Sequence, residues 1–204
     1  MIVKRFKDPF EIFLLEEVFS EEQLSLIKQE LNFITTNPGF SIKKDLGTAL
    51  QGDGNLKAKR NGFFIEHFLQ DFRNTSRIYK CIRECLFKKD MIEHYAKVEK
   101  STIMSQIYRS NTDSVLVSLY KNDDQYLPHY DSSRVTAIFY LCDEDKYTGG
   151  DLLFTGTDIK ITPKNNTGII FPSCMEHEVT KLISEEDIGY TRISISVFID
   201  YDKI

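Results

Sequence analysis

Three side chains in the C-terminal half have the types and spacing of a metal site. His129 and Asp131 form an H-x-D pair inside LPHYDSSRVTAIFYL (residues 127–141), and His177 opens HEVTKL 46 residues after Asp131. Each lies at the boundary of a run rich in β-branched and aromatic residues. In a closed β structure, strand ends distant in sequence come together, so the three can converge. Two neutral imidazoles and one carboxylate on one face of a metal leave its remaining cis positions open. That is the 2-His-1-carboxylate pattern of non-haem iron(II) chemistry. The plain alternative makes His129 and Asp131 ordinary turn residues. The other two histidines, His67 and His94, have no ligand-type neighbour at useful spacing and read as core or surface groups.

A cationic residue downstream bears on the same chemistry. In RISISVFID (192–200), alternation puts Arg192, Ser194 and Ser196 on one face of a strand. If that face is the interior, a buried guanidinium needs an anion. With hydroxyls beside it, the guanidinium suits a bidentate clamp on a carboxylate, here that of a cosubstrate. An arginine on an exposed edge strand is the competing reading.

The elements that must position these residues are legible in outline. SVLVSLY (114–120), RVTAIFYL (134–141), DLLFT (151–155), IKI (159–161), GIIFP (168–172), HEVTKL (177–182) and RISISVFID follow one another without intervening helices. Short strands so spaced imply a sandwich or barrel. Upstream, FEIFLLEEVF (10–19) reads as a strand leading into a helix over 21–35, opened by the capping box Ser20–Gln23. Asn37-Pro38-Gly39 ends that helix. A second helical region spans about 66–99, with breaks near Asn74-Thr75 and Lys88–Asp90. Residues 38–62 form a long exposed loop rich in Gly, Lys and Asp, a candidate mobile lid.

The expected organisation is a single domain over 1–204: mainly helical support in 1–100 and a catalytic β-barrel in 101–204. The net charge of −5 argues against general nucleic-acid binding, which needs a strong basic face. No stretch reads as a signal peptide or a membrane span. Cys81, Cys85, Cys142 and Cys174 lack zinc or redox spacing and read as thiols of a reducing cytoplasm.

Residues 114–200 resemble the iron(II)/2-oxoglutarate-dependent dioxygenases, specifically the prolyl 4-hydroxylase-like branch. SLYKNDDQYLPHYD is similar to that branch's approach to the first ligand, and RVTAIFYL, GGDLLF, GIIFPSCMEHEV and TRISISVF follow in the family's order. The resemblance implies an α+β fold whose C-terminal half is a double-stranded β-helix (jelly-roll, cupin-like), buttressed by N-terminal helices. It implies iron ligands His129, Asp131 and His177. It implies that Arg192 and Tyr140 bind the distal carboxylate of 2-oxoglutarate, with Tyr120 as a further pocket tyrosine. Fe(II), 2-oxoglutarate and O2 are then required, with ascorbate supportive. Two departures stand out: fifteen residues separate His177 from Arg192, where ten or so are usual, and Asp123 replaces a frequent glycine. The extra residues, LISEEDIG, suggest an extended hairpin.

The expected activity is hydroxylation of an unactivated C–H bond, and Asp131 speaks against halogenation, because family halogenases lack that carboxylate. The favoured substrate is a prolyl residue in a protein or peptide, with Lys57, Lys59 and Arg60 meeting an acidic or carbonyl-rich segment. A free amino acid or other small molecule is the alternative. A non-catalytic cupin-like sensor, or zinc on the same ligands, comes behind both. The strand after Arg192 lacks the second arginine of repair-type members, so neither nucleic acid nor membrane is an expected partner.

Overall fold

The computed structural model describes residues 1–40, 42–44, 49–185 and 188–201, with residues 68 and 70–72 described by backbone alone. In order, the first half contains β1 (Ile2–Phe6), β2 (Ile12–Glu16), α1 (Glu21–Thr36), β3 (Lys43–Lys44), β4 (Ala58–Lys59) and β5 (Asn61–Phe64). Helices α2 (Ile65–Leu69), α3 (Arg77–Leu86), α4 (Lys89–Glu93) and α5 (Thr102–Arg109) follow. The second half contains β6 (Thr112–Tyr120), β7 (Gln125–His129), β8 (Val135–Cys142), β9 (Tyr147–Gly149) and β10 (Leu152–Phe154). It continues through β11 (Lys160–Ile161), β12 (Thr167–Pro172), β13 (His177–Val179), β14 (Leu182–Ser184) and β15 (Arg192–Asp200).

An eight-stranded sheet has the order β1-β2-β12-β8-β15-β6-β5-β3, and a five-stranded sheet the order β11-β10-β13-β7-β4. Both are antiparallel throughout the described residues and share an apolar cluster in which Tyr140 of β8 meets Leu152 and Phe154 of β10. These are the two layers of the expected double-stranded β-helix.

Period-two alternation gives the large sheet two distinct faces. Val135, Ala137, Phe139 and Leu141 of β8, with Ile195, Val197 and Ile199 of β15, join one buried cluster with α1, α3 and α5. The intervening residues, Ile138 and Tyr140 on β8 and Arg192, Ser194 and Ser196 on β15, face the small sheet and the space between the layers. Helix α1 is held at its start by the reciprocal Ser20–Gln23 capping box and buries Leu24, Ile27, Leu31 and Ile34 at helical spacing. Each such side chain contributes about 1.5–3 kcal/mol relative to exposure. Among the described residues no helix is long and apolar enough to cross a membrane.

Several expectations are corrected. The first hundred residues carry strands as well as the expected helices: β1 and β2 extend one edge of the large sheet through β12, while β5 pairs with β6 on the other. Residues 101–204 are not all β, because Ser101 caps α5, which buries Ile103, Met104 and Ile107. In the expected 38–62 loop, β3 pairs with β5 and β4 with β7, while residues 41 and 45–48 lie outside the described residues. HEVTKL is two strands rather than one, and β14 pairs with β9 instead of forming a hairpin. Of LISEEDIG, Glu186 and Asp187 lie outside the described residues.

Candidate active site

The last residue of β7 and the first of β13 are direct cross-strand partners, which sets the rings of His129 and His177 4.3 Å apart. Asp131 lies two residues past the end of β7, where its backbone N–H donates to the Ser173 carbonyl. Its Oδ1 is 3.8 Å from His129 Nε2 and its Oδ2 is 3.6 Å from His177 Nε2. One ligand atom from each of the three residues falls within 4.8 Å of the other two.

Contacts around the triad fix the chemistry of these atoms. His129 Nδ1 is 2.9 Å from the Leu127 carbonyl and His177 Nδ1 is 2.9 Å from the Met175 carbonyl. A carbonyl only accepts, so each Nδ1 carries a proton, and each Nε2 is turned toward Asp131. Thr136 Oγ1 donates to Asp131 Oδ2 at 2.6 Å and lies 2.8 Å from Ser173 Oγ. Tyr126 stacks on His129 at 3.5 Å and 8°, and Phe171 sets its ring at 74° to His177. Burial first, then the neighbouring His177, press the His129 pKa down to about 3, which keeps the ring neutral near pH 7. Burial raises that of Asp131, opposed by His177 and the Thr136 hydroxyl. Two imidazoles and one carboxylate, pre-oriented on one side of a common point, fit Fe(II) with open positions.

The triad opens into a chamber whose far wall is the inner face of the large sheet. Arg192 pairs across β15 with Tyr120 on β6 and Cys142 on β8; Ser194 pairs with Ser118 and Tyr140. Ser118, Ser194 and Ser196 are short where core strands elsewhere carry Ile, Val or Phe, so the interior stays hollow there. Arg192 is 1% exposed, and its guanidinium carbon lies 4.4 Å from the Tyr120 ring centre and 5.2 Å from that of Tyr140. Arg192 Nε and Nη1 and the Tyr140 hydroxyl are all buried without a hydrogen-bond partner. Burial pushes the Tyr140 pKa up, so the hydroxyl keeps its proton and can donate. Orphaned donors converging on a hollow are what a carboxylate-bearing ligand requires.

Nearby backbone explains two sequence features. Gly149 and Gly150 have φ of +71° and +66°; a Cβ on Gly150 would reach within 3.3 Å of the Arg192 side chain, and one on Gly149 would meet the Lys181 carbonyl. Asp123, standing where glycine is frequent, also adopts positive φ (69°) and is held by ion pairs to Lys59 and Lys181. His67 and His94 are exposed, as are the Cys174 thiol and the side chain of Tyr130, whereas Cys81, Cys85 and Cys142 are buried.

Sequence reasoning set Arg60 beside Lys57 and Lys59 on an outward basic face and missed that it lines the chamber. The expected basic face of Lys57, Lys59 and Arg60 does not form: Lys57 Nζ donates to the Pro128 carbonyl at 2.5 Å, Lys59 pairs with Asp123, and Arg60 turns inward to line the chamber at 2% exposure. The available signal was Gly62, two residues later, but nothing in KAKRNG marks which way the arginine faces. Outside the chamber, a second cavity of about 370 Å³ shares Tyr126, Asp131 and Phe198 with it and adds Phe64 and Tyr130.

Residues 115–200 match the family described as "2OG-Fe(II) oxygenase superfamily". No curated protein matches the sequence. Among solved structures, a prolyl-4-hydroxylase from Pseudomonas putida is similar with a TM-score of 0.51 at 14% identity, covering 94% of this chain and 93% of that one. The viral collagen prolyl hydroxylase of Paramecium bursaria Chlorella virus-1, bound to 2OG, gives 0.54 at 14% identity over 93% and 96%. The structure of OsALKBH1 gives 0.54 at 12% identity over 98% and 100%. At these identities the likeness is one of fold. The match spans β15, the three residues of the candidate metal site and Arg192, so that this part of the chain is similar in sequence to the 2OG-Fe(II) oxygenase superfamily.

Proposed function

We propose that the chain acts as one domain that hydroxylates a prolyl residue of a protein or peptide, with iron held by His129, Asp131 and His177. In this reading, Arg192 and the Tyr140 hydroxyl receive the distal carboxylate of 2-oxoglutarate, Tyr120 backs the guanidinium, and Ser194 and Ser196 leave room for the chain of the cosubstrate. The observation that carries it is the set of partnerless buried donors on Arg192 and Tyr140, in the same chamber as the triad. A metal-only barrel has no use for that set, which speaks against a bare cupin-like sensor.

Iron with 2-oxoglutarate and dioxygen supplies the oxidising power, one oxygen atom entering the C–H bond and the other leaving in succinate beside carbon dioxide. The chain's own share is position and exclusion. The Nδ1–H bonds of both histidines and the Thr136 hydroxyl orient the ligand atoms. Packing by Phe154, Phe171 and Leu152 keeps water from the inner side. The peptide substrate is supported by the open outer cavity, whose rings (Phe64, Tyr126, Tyr130 and Phe198) suit a pyrrolidine and its extended neighbours.

The test is incubation of the full chain with Fe(II), ascorbate, 2-oxoglutarate and a proline-containing peptide library, read by mass. One added oxygen confined to proline is expected, lost in His129→Ala and Asp131→Ala. Oxidation of non-prolyl residues, or succinate release with no peptide modified, removes the prolyl assignment.

A further inference from the structure

We infer that Ser173 is a positioning residue for the metal site, the middle of a one-way hydroxyl relay that runs from Ser133 through Ser173 and Thr136 to Asp131 Oδ2. Ser173 follows β12 directly, stands four residues ahead of His177 and is fully buried, as is Thr136 on β8. The Ser173 hydroxyl oxygen lies 2.8 Å from Thr136 Oγ1 and 2.8 Å from Ser133 Oγ. Thr136 Oγ1 lies 2.6 Å from Asp131 Oδ2.

Counting protons gives the relay its direction. Thr136 has a single hydroxyl proton and donates it to Asp131 Oδ2. At its contact with Ser173 it can therefore only accept, so the Ser173 proton points to Thr136. That leaves Ser173 no proton for Ser133, from which it accepts. A competing acceptor for Ser133, the Val135 carbonyl, is more distant at 3.3 Å. Three O–H dipoles aligned in this way polarise one another, and all of them lean on the carboxylate. The 2.6 Å separation is that of a hydroxyl bonded to an ionised oxygen.

Ser173 also ties together the two segments that deliver metal ligands. Its carbonyl accepts from the Asp131 N–H and its N–H donates to the Arg134 carbonyl, both at 3.2 Å. The turn it opens continues to Met175, whose carbonyl lies 2.9 Å from His177 Nδ1. The carboxylate is thereby turned and held before a metal arrives, and the hold extends two hydroxyls beyond the residue that touches it.

The inference rests on the metal triad of the proposed function, and one titration series separates the two. Mn(II) is titrated into the full chain, free Mn(II) is read by electron paramagnetic resonance, and each variant is checked by thermal melting without metal. Ser173→Ala is expected to bind Mn(II) about 3–10-fold more weakly than the wild type. In a Thr136→Val background the same substitution changes nothing, because the relay is already cut. In a Thr136→Ser background, where the hydroxyl survives, the loss returns. Where Ser173→Ala melts early, Ser133→Ala at the relay's half-buried far end replaces it in the cycle, with a loss of about twofold that Thr136→Val again erases.

An affinity untouched by these alanines, or a loss of full size beside Thr136→Val, assigns Ser173 to packing alone; the relay is then overturned and the triad stands. Mn(II) binding that keeps wild-type strength in His129→Ala and Asp131→Ala overturns the triad and the relay together.

Discussion

Replacing Arg192 with Met separates a ligand-binding arginine from a structural one. In the ligand-free protein, two atoms of the guanidinium are buried without partners, each costing about 1–3 kcal/mol. Against this, each of the two tyrosine rings at 4.4 and 5.2 Å contributes about 0.5–2 kcal/mol. The terms nearly cancel, so Arg192→Met is expected to change ligand-free stability by about 1 kcal/mol in either direction, or roughly 2–4 °C in Tm for a chain of this size. With 2-oxoglutarate bound, the same change strands a buried carboxylate at a cost of about 3–5 kcal/mol. That corresponds to a Kd raised by roughly two to three and a half orders of magnitude. The assay is thermal melting with Mn(II), under nitrogen, over a 2-oxoglutarate series. At about 100 times Kd the wild type gains about 2.7 kcal/mol, and its Tm climbs by roughly 5–11 °C. The variant stays flat over the same series. Parallel rises in both proteins would falsify the reasoning, as would a ligand-free variant destabilised by more than about 4 kcal/mol.

Thr136→Val removes the hydroxyl that donates to Asp131 Oδ2 while keeping the buried shape; metal affinity by Mn(II) titration should fall about 10–100-fold, and an unchanged affinity contradicts the orienting role. Ser194→Leu fills the hollow beside Arg192. Calorimetry should find 2-oxoglutarate binding lost with metal binding retained, at a Tm equal to or above that of the wild type. Thiol labelling at pH 7.5 should give one fast adduct, at exposed Cys174, and none in Cys174→Ser. Cys81 stays protected because burial, then Glu84, push its pKa to about 11; rapid labelling of Cys81 would contradict its packing.

The grouping of His129, Asp131 and His177 was readable because H-x-D and a distant histidine at strand boundaries are sparse, chemically specific types. Arg192 was readable through alternation, since Ile193, Ile195 and Val197 could only belong to the opposite, apolar face. β7 escaped notice because QYLPH combines a proline with polar residues, and it is a strand only by pairing with β13 and β4. The same holds for β3, β4 and β5, whose composition is that of a loop; partners more than fifty residues away make β4 and β5 strands. Arg60 is hidden for the same reason, as its direction is fixed by β4 meeting β7 and by the missing side chain at Gly62. Helix α5 was lost to the β-rich segment after it, although its Ser101 cap and the spacing of Ile103 and Ile107 were there to be seen.

The two faces of β15 make the strand sensitive to the parity of its length. Deleting Ile195 would turn Ser196 and Phe198 toward the helices and drive Val197 and Ile199 into the chamber, exchanging hollow for filling beyond the cut. Removing two consecutive residues restores odd and even, at the cost of moving every later side chain one pair along. Residues between β14 and Arg192 carry no such count, because a connection of any length can deliver Arg192 to Tyr120 and Cys142 in the same orientation. Length can therefore drift freely before Arg192, whereas from Arg192 to Asp200 it changes, if at all, by twos.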